Sequence, residues 1–85
     1  MKSDRILIVD DEAAIREMIS IALDLAGFDT IEAEDALQAH HKIVDERPSL
    51  VLLDWMLPNI SGIEFARQLK KDPQTQAVRL IERWR

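Results

Sequence analysis

Two unbroken apolar runs in this 85-residue chain end in acids. Ile6-Leu7-Ile8-Val9 leads into Asp10, Asp11 and Glu12, and Leu50-Val51-Leu52-Leu53 leads into Asp54. If the two runs lie side by side, three carboxylates meet in one crevice, where they repel one another unless a cation sits between them. Oxygen-only ligands, few in number and reached by water, suit Mg²⁺, which keeps several of its waters. A carboxylate beside Mg²⁺ is also a nucleophile toward phosphorus and forms an aspartyl phosphate, with the metal offsetting charge on the phosphoryl oxygens. Asp10, Asp11 and Asp54 are therefore candidates for metal-assisted phosphoryl chemistry. A plainer reading competes with this one. Acids are common in loops after strands, and Asp10-Asp11-Glu12 ahead of a helix also favours the positive end of the helix dipole.

Other chemistry-bearing residues lead less far. His40 and His41 are adjacent, and helical neighbours point about 100° apart, so they do not readily share a metal. The expectation is His40 on an apolar face and His41 turned outward. Trp55 follows Asp54 and is expected as an aromatic at the edge of the loop or site. Neither glycine-rich nucleotide-binding pattern is present, and no serine sits in a recognisable nucleophile elbow.

The acids need elements to hold them. Both apolar runs have the length and composition of strands covered on two faces. Between them, Ile15, Met18, Ile19, Ala22 and Ala26 mark one face of a helix over Ala13 to Ala26, closed by Gly27 as a left-handed cap. Phe28 to Ala33 is a weaker strand, whose Asp29 and Glu32 suit a sheet edge. Ala36, Ala39, His40 and Ile43 mark a second helix over Ala36 to Asp45, with Asp35 as its N-cap. Arg47-Pro48-Ser49 breaks the chain before the second apolar run. A third helix is expected from Ser61 to Lys71, on Ile63, Ala66, Leu69 and Lys70, and Asp72-Pro73 ends it. Ala77 to Ile81 then starts a short fourth strand.

Strand and helix thus alternate three times, which implies a doubly wound α/β fold with a parallel sheet. In the flavodoxin-like order, ligands bind beyond the carboxyl ends of the first and third strands, where Asp10, Asp11 and Asp54 fall.

Composition bounds the function. With 47% hydrophobic and 32% charged residues and no cysteine, the chain is one small domain stabilised by apolar burial rather than disulfides. No apolar run spans a membrane and the polar start is not a signal peptide, so a cytoplasmic protein is expected. The net charge of −5 argues against direct nucleic-acid binding. The last nine residues carry +2 against −7 for the rest.

Ile6-Leu7-Ile8-Val9-Asp10-Asp11-Glu12 resembles the opening of bacterial two-component response-regulator receiver domains. The stretch Leu52 to Gly62, with Asp54-Trp55-Met56-Leu57-Pro58 at its centre, resembles their phosphoacceptor strand and following loop, in the winged-helix transcription-factor branch. The resemblance implies a CheY-like fold and an Asp54 that takes a phosphoryl group from a sensor histidine kinase. It implies Mg²⁺ ligation by Asp11, by Asp10 (often through water), by Asp54 and by the backbone carbonyl of Met56. Pro58 and Gly62 would shape the loop, and Glu12 would be a solvated charge at the helix start.

The likeness fades after Val78. Receivers of this family end their fourth strand in Ser or Thr, where this chain has Trp84 or a neighbour, and their fifth strand in a Lys that Lys70 and Lys71 cannot replace. The expectation is a partial receiver over 1–78 with a basic tail over 79–85, a C-terminally truncated module with impaired phosphoacceptor function. Two other readings stand beside it. One is a binding-only fragment that pairs with a kinase, another receiver or itself. The other is an aspartate-nucleophile phosphatase, which Met56 disfavours because it occupies the place of that class's second acid.

Overall fold

The computed structural model describes residues 5–83. Seven elements follow one another: β1 (Arg5–Val9), α1 (Ala13–Leu25), β2 (Asp29–Ala33), α2 (Ala36–Glu46), β3 (Leu50–Asp54), α3 (Gly62–Lys71) and β4 (Leu80–Arg83). The strands form one sheet in the order β2-β1-β3-β4, and every pair is parallel. The expected doubly wound α/β order is observed, with β2 at an edge. β1 pairs with β2 on one side and with β3 on the other, so the strand order reverses between β1 and β3.

Period-2 alternation divides the side chains of the sheet between two faces. Leu7, Val9, Val51 and Leu53 point into the main core with Ala39 and Ile43 of α2 and Phe65 and Leu69 of α3. Ile6 and Ile8 alternate with them and are also buried. α1 packs against β1 and β2.

The helix faces differ in part from those expected. α1 has no buried residue; Ile15 and Ile19 are half-buried, whereas Ala22 and Ala26 are exposed and Met18 is 64% exposed. On α3 the inward positions are Phe65 and Leu69, while Lys70 is exposed and its ammonium donates to the carbonyl of Val78 at 2.7 Å. Phe65, which the periodic reading did not place on the inner face, is buried in the main core beside Leu69, which it did, and Ala66 packs against the same core. α2 buries Ala39 and Ile43, as its pattern required.

Local chemistry sets the ends of these elements. Gly27 takes φ +96°, and the amides of Gly27 and Phe28 return to the carbonyls of Asp24 and Leu23. Asp35 caps α2 by accepting from the Gln38 amide at 2.8 Å, and Ser61 caps α3 by accepting from the Glu64 amide at 3.1 Å. The fourth strand begins at Leu80, and Val51 to Asp54 pair with Leu80 to Arg83 along its length. β3 is therefore flanked on both sides.

Candidate functional site

The register of the sheet brings the two acid-bearing strand ends together. The last paired rung between β1 and β3 is Val9 with Leu53, and Asp10 and Asp54 each follow it by one residue. Neither acid has exposed surface, at 0% each. Both sit beyond the carboxyl ends of adjacent parallel strands at the point of strand-order reversal, where open α/β sheets bind ligands.

Backbone contacts hold each carboxylate. The Glu12 amide donates to Asp10 Oδ1 at 2.8 Å, and the Met56 amide donates to Asp54 Oδ1 at 3.2 Å. The Asp10 backbone is tied on both sides: its amide donates to the Ala33 carbonyl at 3.1 Å, and its carbonyl accepts from Arg16 Nη1 at 2.6 Å. Arg16 had no assigned role in the sequence pattern, where it is one polar residue on an amphipathic helix.

The loop after β3 folds back at Gly62, whose amide donates to the Trp55 carbonyl at 2.8 Å. A Cβ at residue 62 would lie 2.6 Å from the Asp54 carbonyl oxygen and 3.0 Å from Trp55 Cα. Glycine is required there by the close approach of two backbone segments. Met56 and Ser61 form an isolated antiparallel bridge that closes the same loop.

Asp10, Asp11 and Glu12 each offer a carboxylate oxygen within one group no more than 4.8 Å across. Asp54 lies outside that group, on the neighbouring strand. Glu12, expected as a solvated helix-start charge, is exposed but belongs to the acidic group. Two buried carboxylates beside two exposed acids make an all-oxygen donor set, and a hard divalent cation suits such a set. His40 and His41 lie away from these acids; the His40 ring stands 3.6 Å from Asp72 on α3's C-terminal side. Met56 exposes 68% of its surface, which leaves its backbone as the part of interest here. Trp55 is half-buried at the site edge. Trp84 lies outside the described residues.

A parallel sheet in this order, with acids at the ends of β1 and β3, defines a receiver-type signalling module. Residues 6–82 match the response regulator receiver domain, and the chain belongs to that family. It is the receiver domain of a two-component response regulator, related to the PhoB transcription regulators. The phosphate regulon transcriptional regulatory protein PhoB of Pseudomonas aeruginosa is 58% identical over 81 residues, which is 95% of this chain and 35% of that protein. PhoB of Escherichia coli is 46% identical over 77 residues, covering 91% of this chain and 34% of that protein. The chain thus spans about a third of the length of the curated relatives it matches. Among solved structures, the response regulator protein TrrA of Thermotoga maritima, in complex with Mg²⁺-BeF, has a TM-score of 0.86 at 36% identity, covering 99% of this chain and 70% of that one. The N-terminal domain of a receiver protein from Methanoculleus marisnigri has a TM-score of 0.89 at 29% identity, covering 92% and 63%. The match to the family extends past residue 78 into β4. Among the described residues, no helix is long and apolar enough to cross a membrane.

Proposed function

We propose that Asp54 accepts a phosphoryl group from the phosphohistidine of a sensor histidine kinase. Asp10, Asp11, Asp54 and the Met56 carbonyl would hold Mg²⁺. The observation that carries this reading is the placement of two fully buried carboxylates, Asp10 and Asp54, at adjacent strand ends beside Asp11. An Asp54 oxygen attacks phosphorus, a P–O bond forms and the P–N bond to imidazole breaks. The departing nitrogen keeps the electron pair. Mg²⁺, when held by these residues, would offset charge on the phosphoryl oxygens. The Met56 amide, donating to Asp54 Oδ1 at 3.2 Å, helps to orient the carboxylate. Because residue 54 has no exposed surface, the residues lying over it must move aside for transfer. The chain acts here as the kinase's substrate and not as an enzyme, in the cytoplasm, and makes no direct contact with nucleic acid. Residues 80–85 include no serine or threonine, so the hydroxyl contact that the resemblance expects at Trp84 or a neighbour would be missing and the phosphoacceptor function impaired.

Incubation with Mg²⁺ and a small phosphodonor, followed by intact-mass analysis, tests the reading. A mass gain of one phosphoryl group is expected, absent in Asp54→Asn. No gain in the folded, Mg²⁺-loaded chain overturns it.

A further inference from the structure

At the opposite end of the sheet from the acids, a cavity of about 450 Å³ opens between the end of α2 and the connection from α3 to β4. Strands rise about 3.3 Å per residue, so the length of β3 places this cavity roughly 13 Å from Asp54. Ile43, Pro48 and Val78 contribute apolar surface, and Arg47 and Arg79 both line it. No carboxylate lines it. Two positive residues gathered without an acid contrast with a chain whose net charge is −5.

These two arginines differ from three others among the described residues. Arg5, Arg16 and Arg67 each pair with a glutamate. Among the described residues, Arg47 and Arg79 have no ion-pair partner. The cavity's hydroxyls are already committed: Thr75 donates to the Leu69 carbonyl at 2.7 Å and Ser49 to the Arg5 carbonyl at 3.0 Å. Charge recognition therefore falls to the guanidinium groups. Arg47 also adopts φ 48°, ψ 61°, a left-handed backbone unfavourable for a side chain with a Cβ. Residues held in such conformations cluster at ligand clamps. α2 ends here, and its dipole places about half a negative charge nearby, which two guanidinium groups outweigh.

We infer that this cavity binds small organic anions with an apolar body, of the aryl-carboxylate class. A guanidinium fork matches a carboxylate in bidentate geometry. The volume falls within the roughly 300–1,000 Å³ typical of small-molecule sites. Binding here does not depend on the phosphoacceptor reading.

The test is an amide NMR titration of the full chain with 2-naphthoate. Saturable shifts centred on Ser49, Thr75, Ala77 and Val78 are expected, weakening as salt is raised. The neutral analogue 2-naphthylmethanol should bind at least tenfold more weakly. Arg47→Gln with Arg79→Gln should lose at least tenfold in affinity while keeping a dispersed native spectrum. Should that double variant fail to fold, the salt dependence and the neutral analogue decide the question in the native chain. Equal binding of the alcohol, salt-independent binding, shifts centred elsewhere or no saturation overturns the proposal.

Discussion

Arg16 on α1 donates from Nη1 to the backbone carbonyl of Asp10 at 2.6 Å and from Nε to Glu32 on β2 at 3.0 Å. One guanidinium thus ties the helix that follows the acidic turn to the ends of two strands. Its side chain is only 14% exposed; the hydrogen bond to the Asp10 carbonyl is partly buried, whereas the one to Glu32 is exposed. Groups that orient metal ligands from behind typically change metal affinity about 10–100-fold when removed. Arg16→Ala is expected to weaken Mg²⁺ binding by roughly tenfold, measured by Trp55 fluorescence or calorimetry. Arg16→Lys should recover only part of this, because an ammonium lacks the planar fork. Unchanged Mg²⁺ affinity in a folded Arg16→Ala chain would show that the contact is purely structural.

Metal binding should appear as stability. A ligand that binds only the native state at a hundred times its Kd adds about 2.7 kcal/mol. Thermal melts with and without Mg²⁺ should separate in the native chain and coincide in Asp10→Asn. An equal Mg²⁺-dependent shift in both chains would place the metal elsewhere.

Gly62 is the steric hinge of the site. A methyl group there meets the Asp54 carbonyl oxygen at 2.6 Å, and both partners are backbone, so neither yields cheaply. Gly62→Ala should cost about 1–3 kcal/mol in urea unfolding, the range for overpacking. It should also slow labelling of Asp54, because relief requires the end of β3 to move. A neutral effect on both would mean that the loop relaxes freely.

The two faces of the sheet should respond unequally to truncation. Phe65 is 3% exposed in the main core, and Phe65→Ala should cost about 3–5 kcal/mol. Met18 on α1 is 64% exposed, and Met18→Ala should stay within about 0.5 kcal/mol. Denaturant midpoints compare the two directly. A large loss at Met18 would show that α1 is covered in solution, by a second copy for example.

Much of this fold was legible residue by residue. Short β-branched runs ending in acids, Gly27 and Asp35 each encode a local event whose physics involves only a few neighbours. Gly27 has the freedom a left-handed cap needs, and Asp35 has an oxygen in reach of the Gln38 amide. The orientation of α1 was less legible. Its apolar pattern predicts a buried face, yet Met18 and Ala22 remain exposed, because periodicity shows which residues share a face and not how much surface lies opposite it. Phe65 was missed as an inward residue of α3 for a related reason: the crossing of the helix over the sheet decides which positions point down.

At the site, the residue types were determined by the sequence alone. Acids after Val9 and Leu53 bring oxygen donors wherever the chain folds and, in the proposed function, a nucleophile. Their proximity was decided by tertiary structure. β1 and β3 are separated in the chain by two helices and a strand, and only parallel pairing in register sets Asp10 and Asp54 one residue beyond the same rung. The same holds for Arg16, which joins the Asp10 carbonyl to Glu32 on β2, for Gly62 packed against the Asp54 backbone, and for Arg47 and Arg79, which line one cavity. Side-chain chemistry is written locally, whereas the distances that let it act are set by how the elements pack.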